Sequence, residues 1–226
     1  MSQLRHSLAV FLLLALTAGC ATGPDASAPR TKAAMTAEDY DAMVRVATTA
    51  RQRGDTGMAF TVFTNAAIGR PDRPEALLGM GDTAWAMRLA DVSREAYRKV
   101  LVLSPGNVEA LRGVARAEIA LDRPAEAATA YREALARAPG DAGLQGGLAV
   151  ALDLSGDHAG AAAAFEKALA LAPGDLDIRA NYGWSLARRG DARGVELLDR
   201  VVASPGATGP HRATLQAARE RLTRGH

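Results

Sequence analysis

The residues of this 226-residue chain that could do chemistry are few, and their spacing decides what chemistry is open to them. Cys20 is the only thiol. A lone cysteine makes neither an internal disulfide nor a multi-cysteine zinc site. His6, His158, His211 and His226 show no paired spacing that would hold a metal ion. The run GMGDTA, Gly79 to Ala84, matches a dinucleotide fingerprint in its letters. That motif needs a strand before it and a helix opening at it, whereas here the pattern of the chain puts it inside a helix. No Ser-His-Asp, Cys-His or phosphate-loop arrangement is visible. The expectation is a chain without catalysis, metal, cofactor or small-molecule substrate. A net charge of +2, with arginines interspersed among acids, gives no electrostatic footprint for nucleic acid.

The elements that must position any remaining site follow from a repeat. EALARAPGD, Glu133 to Asp141, returns as KALALAPGD, Lys167 to Asp175, and Pro71, Pro105, Pro139 and Pro173 fall thirty-four residues apart. Counted from Tyr40, Pro74, Val108 and Ala142, the eighth position is Ala47, Gly81, Ala115 or Ala149. The twentieth is Ala59, Ser93, Ala127 or Ala161, and the twenty-fourth is Phe63, Tyr97, Tyr131 or Phe165. Two helices crossing closely need small side chains where they touch. An aromatic one turn later fills the wedge beside that contact. Proline ends the second helix. In Pro-Gly-Asp the glycine is expected in a left-handed turn and the aspartate as the next N-cap. Gly54-Asp55 and Gly156-Asp157 are expected to use the same device between the helices of a repeat. A fifth repeat starts at Leu176, but Asp199 stands at its aromatic position and Pro205 arrives two residues early. Pro210 to Leu222 suits a closing helix with a polar outer face.

Small, small, aromatic and proline at these positions is the tetratricopeptide-repeat (TPR) pattern, and residues 40 to about 205 resemble that family. The fold class implied is all-α: a TPR solenoid of about five helix-turn-helix repeats with a C-terminal capping helix. In that family the first helix of each repeat lines a concave groove. Carried over, the resemblance places Arg45, Gly79, Asp82, Trp85, Arg112, Gly113, Arg116, Gly147 and Trp184 on that face. Gly79, Gly113 and Gly147 are the sixth residues of three successive repeats, and each mid-helix glycine costs roughly 1 kcal/mol against alanine. Such a column means that something comes close to the backbone: a partner segment in the groove, or crowding between neighbouring first helices. Tryptophan and arginine are the side chains most often found as binding hot spots.

The N-terminus carries a different signal. Arg5 and His6 precede the apolar run Leu8 to Leu16, followed by Thr17, Ala18, Gly19 and Cys20, the layout of an export signal. The run is far shorter than the ~20 residues of a membrane-spanning helix. LTAGC resembles a bacterial lipobox, with Thr17 where leucine is preferred. The resemblance implies that residues 1–19 are a signal peptide and that Cys20 is lipidated. Ala21, not aspartate, implies an outer-membrane anchor on the periplasmic face. Residues 20–37 are small, polar and Pro-containing and read as a flexible tether, leaving 38–226 as the TPR domain.

The segment VASPGATGPHRATLQAARERL resembles the end of the TadD lipoproteins of tight-adherence (Flp/Tad) pilus systems. That resemblance implies a protein partner, a secretin or another pilus-assembly subunit, held near the membrane by the lipid anchor. The other reading is a general periplasmic TPR scaffold for cell-wall or outer-membrane biogenesis.

Overall fold

A computed structural model describes residues 35–224. Cys20, the signal segment and residues 20–34 of the tether lie outside the described residues. Within them are eleven helices and no strand: α1 (Ala37–Gln52), α2 (Thr56–Gly69), α3 (Pro74–Ala86), α4 (Ala90–Leu103), α5 (Val108–Ala120), α6 (Pro124–Arg137), α7 (Ala142–Leu154), α8 (His158–Leu171), α9 (Leu176–Arg188), α10 (Arg193–Ala203) and α11 (Gly209–Arg224). Helices α1 to α10 form five hairpins in chain order, and α11 packs on both α9 and α10. This is the all-α solenoid with a closing helix that the repeat requires.

The turns explain why the helices stop where they do. Arg70, Ser104, Ala138 and Ala172 each precede a repeat proline and have left the helical region, with φ between −132° and −145° and ψ between 70° and 84°. The proline ring forces that change on its predecessor. The next helix is then capped by Asn107, Asp141 or Asp175, whose side chain accepts the N–H three residues on at 2.9 Å.

The glycines of Pro-Gly-Asp behave otherwise than the sequence led us to expect. Gly140 and Gly174 do not adopt positive φ. Proline at the second place of a four-residue turn is compatible with a type I turn, which needs no left-handed residue, and Asp72 fills the equivalent place in the first repeat. Positive φ is required instead between the two helices of each repeat. Gly54, Gly156 and Gly190 supply it at 82°, 90° and 79°, and Arg88 and Asp122 are forced into it at 63° and 58°. In all five of these turns an N–H reaches back to close the first helix, as from Asp55 to Ala50 and from Asp191 to Leu186.

The hairpins stack into two layers. The first helices touch one another directly, α1 to α3, α3 to α5, α5 to α7 and α7 to α9, whereas α2, α4, α6, α8 and α10 make no such approach among themselves. The first helices are therefore the inner, concave layer. The small residues do their expected work: Ala47, Ala59, Ala115, Ala127 and Ala149 are fully buried. Glu118, only 1 % exposed, joins the second repeat to the third, with Arg98 at 3.0 Å and Arg94 and Arg123 at 3.6 Å.

The buried apolar side chains separate into two groups. One runs from Tyr40 to Ile178, and the other comprises Ala180, Ala187, Leu198, Val201, Leu215 and Ala218. The division coincides with a slip in the fifth repeat. Asp191 accepts the N–H of Arg193, two residues on, where Asp157 accepts that of Gly160, three residues on. The second helix is consequently shifted by one residue. Gly194, not Val195, meets the backbone of Gly183, and Leu198, not Asp199, takes the aromatic's place.

Candidate functional site

The inner layer presents its side chains from successive turns of α3, α5, α7 and α9, because residues three and four apart share a helix face. Asp82 is bound by two donors: Arg51 at 2.5 Å from the preceding repeat and the Tyr97 hydroxyl at 2.6 Å. Burial and that hydrogen bond push the Tyr97 hydroxyl well above the usual phenol range. The Arg116 guanidinium carbon lies 4.5 Å from the centroid of the Trp85 ring, within the range of a cation–π contact. Arg112 reaches Asp141 only at 3.7 Å. Trp184, half-buried, lines a depression of about 200 Å³ with Val150, Asp153, Asn181 and Arg188. Beside it, Tyr131, Gly146, Gly147, Val150 and Asn181 border another of about 290 Å³.

The glycine column has a definite neighbour. A Cβ on Gly79 would fall into the ring of Phe63, one on Gly113 into Tyr97 and one on Gly147 into Tyr131. The group that comes close to the backbone is thus the aromatic of the preceding repeat, neither a partner segment nor a neighbouring first helix. Gly79 and Gly113 are buried under those rings and offer no free surface. Arg45 is also set apart. It occupies the sixth position of the first repeat, where no earlier ring stands among the described residues. It lines a hollow at the N-terminal end of the array with Val46, Thr49, Arg53 and Met58. The residues brought together on the concave face are Asp82, Trp85, Arg112 and Arg116, with Trp184 further along.

Sequence reasoning missed Tyr97 and Tyr131, having read them only as wedge fillers. The signal was present, since the aromatic is Phe, Tyr, Tyr, Phe along the array, and a hydroxyl placed only in the middle repeats needs a partner there. A larger apolar hollow, about 490 Å³, opens on the outer side between α2 and α4, around Ile68, Met80, Val102 and Leu103. Among the described residues no cluster of His, Cys, Asp or Glu could hold a metal, and no helix is long and apolar enough to cross a membrane.

A tetratricopeptide-repeat family model matches residues 78–142 and 115–176, so the middle of the array carries that family's repeats. The described residues have the fold of a TPR solenoid. The chain is similar to a thermophilic TPR protein of Thermus thermophilus at 19% identity, with a TM-score of 0.67 over 80% of this chain and 99% of that one. YrrB, described as a TPR protein with an unusual peptide-binding site, is similar at 17% identity and a TM-score of 0.62, over 81% and 93% of the two chains. PilF of Pseudomonas aeruginosa is similar at 19% and 0.63, over 84% and 92%. No curated protein matches the sequence.

Proposed function

We propose that this protein is a non-catalytic scaffold lipoprotein that holds a segment of a protein partner along its concave face and so assists assembly of an envelope machine. The machine is a Flp/Tad-type pilus or its secretin. Cys20 carries the lipid that anchors the chain at the periplasmic face of the outer membrane. The observation that carries the reading is the row on the inner layer, Arg116 in cation–π contact with Trp85 and Trp184 beside a depression. Burying such side chains against a partner contributes most of the affinity in typical interfaces. The lipobox-like LTAGC and the TadD-like C-terminal segment support the location and the client.

Photo-crosslinking in cells tests this. A photoreactive residue in place of Trp184 should give an adduct with the secretin or a pilus subunit, and one in place of Val102 on the outer side should not. Adducts from Val102 alone would move binding to the outer hollow and end the concave-face reading. Cys20→Ser should abolish fatty-acid labelling, membrane association and pili together. Label that persists in the variant would remove the anchor from the proposal.

A further inference from the structure

The second and third repeats place the same framework around opposite charges. In the second, Asp82 accepts from Arg51 and from Tyr97, so two donors share one carboxylate. Thirty-four residues on, Arg51 becomes Trp85, Tyr97 becomes Tyr131 and Asp82 becomes Arg116. The acceptor has gone and a donor stands in its place. The Tyr131 side chain is only 4 % exposed, and its hydroxyl, without a hydrogen-bond partner among the described residues, keeps its contact with solvent at the depression that Tyr131 lines. Arg116 makes its contact with the Trp85 ring and, among the described residues, no ion pair. Arg112, one turn earlier on α5, has only the long approach to Asp141. Burial pushes the Tyr131 hydroxyl up to about 12, while the positive charges of Arg116 and Arg112 beside it act in the opposite sense. Three donors thus stand in one neighbourhood of the concave face, the two arginines near enough to act on the Tyr131 hydroxyl. Phe63 and Phe165 have no hydroxyl, so this donor set does not extend to the flanking repeats.

Taking the concave face as the binding surface, as under the proposed function, we propose that Arg112, Arg116 and Tyr131 receive an acidic side chain, Asp or Glu, from within an extended segment of the partner protein. The carboxylate would stand where Asp82 stands in the repeat before. The planar guanidinium fork suits two parallel hydrogen bonds to a carboxylate. Two acids border the depression that Tyr131 lines, and each has a partner within the chain. Asp175 caps α9 through the N–H of Ile178, and Asp177 meets His211 Nε2 at 2.9 Å. They leave the acid-accepting end at α5 and α6 and a negative end at α9, which orients the segment.

Arg116→Asp supplies the missing acceptor from within the chain, so it should close the site without unfolding it. Random peptides displayed with amidated C-termini are selected on the full chain and on Arg116→Asp, with Trp85→Ala/Trp184→Ala as a control for the concave face. The wild type should enrich peptides containing Asp or Glu. Changing that residue to Asn or Gln, or using Arg116→Asp, should weaken binding at least tenfold, and Tyr131→Phe several-fold, with melting temperatures held. Peptides that need the tryptophans but carry no acid would overturn this proposal and leave the concave-face reading standing. So would peptides bound only through a free C-terminal carboxylate, or binding unchanged in Arg116→Asp. Peptides indifferent to the tryptophans, or none at all, would overturn both.

Discussion

From the second repeat to the fourth, each seam is closed by one ring on one glycine: Phe63 on Gly79, Tyr97 on Gly113, Tyr131 on Gly147. At the fifth, Asn181 takes the glycine's place, and Phe165 stacks instead on the ring of Tyr182 at 5.0 Å. There the apolar core divides, and α9 to α11 form a smaller group around Leu198 and Val201. The difference teaches that ring and glycine are one device. A ring can lie flat on a helix only where no side chain rises to meet it, so substituting either half changes how two repeats join.

The comparison is broken most strongly at Leu198, which fills the ring's place in the fifth repeat. Leu198→Ala should cost roughly 2–5 kcal/mol, and hydrogen exchange should show α9 to α11 opening while α1 to α8 stay protected. Uniform loss of protection would mean that the two cores act as one. Alkaline pH should loosen the other region. The folded-state pKa of Tyr131 lies above its unfolded value, so its contribution is complete below pH 10 and disappears as pH rises toward about 12. Two units correspond to about 3 kcal/mol. Melts of Tyr131→Phe should therefore hold up better than wild type across that window and match it near neutrality.

Gly113→Leu tests the ring-on-glycine seat directly and should destabilise by roughly 1–3 kcal/mol through overpacking against Tyr97. Gly174→Ala, with no atom in reach of the added carbon and no positive φ, should stay within about 0.5 kcal/mol. Equal melting shifts for these two would sink the assignment. The smallest effect concerns backbone strain. Arg88→Gly should stabilise by up to about 1 kcal/mol, because arginine is held at φ 63° where three other repeats use glycine.

Much of the fold was legible because each repeat must solve the same problem with the same letters. Alanine at the helix crossing and Asp141 or Asp175 at the cap have one physical use each, and the structure finds them in it. Gly140 was misread since glycine permits a left-handed turn without requiring one. The glycine column announced a close neighbour but could not name it, because the ring comes from the preceding repeat, sixteen residues back. The slip of α10 was hidden by Gly190-Asp191, which keep register while the cap behind them shortens. Tyr131 and Arg116 were separately readable. Their lack of an acceptor shows only when two repeats are superimposed in space.

The contact of inner helices with inner helices, without any between outer ones, has a mechanical consequence. Tightening the superhelix would compress a layer already in van der Waals contact, and packed interiors resist compression. Straightening would separate the inner helices from one another and strain the seams by which each outer helix packs on the next inner one. The array is therefore stiff against closing, and any opening comes at the expense of contacts within the inner layer. A segment bound on the concave face, as proposed, would meet a surface that resists closing around it.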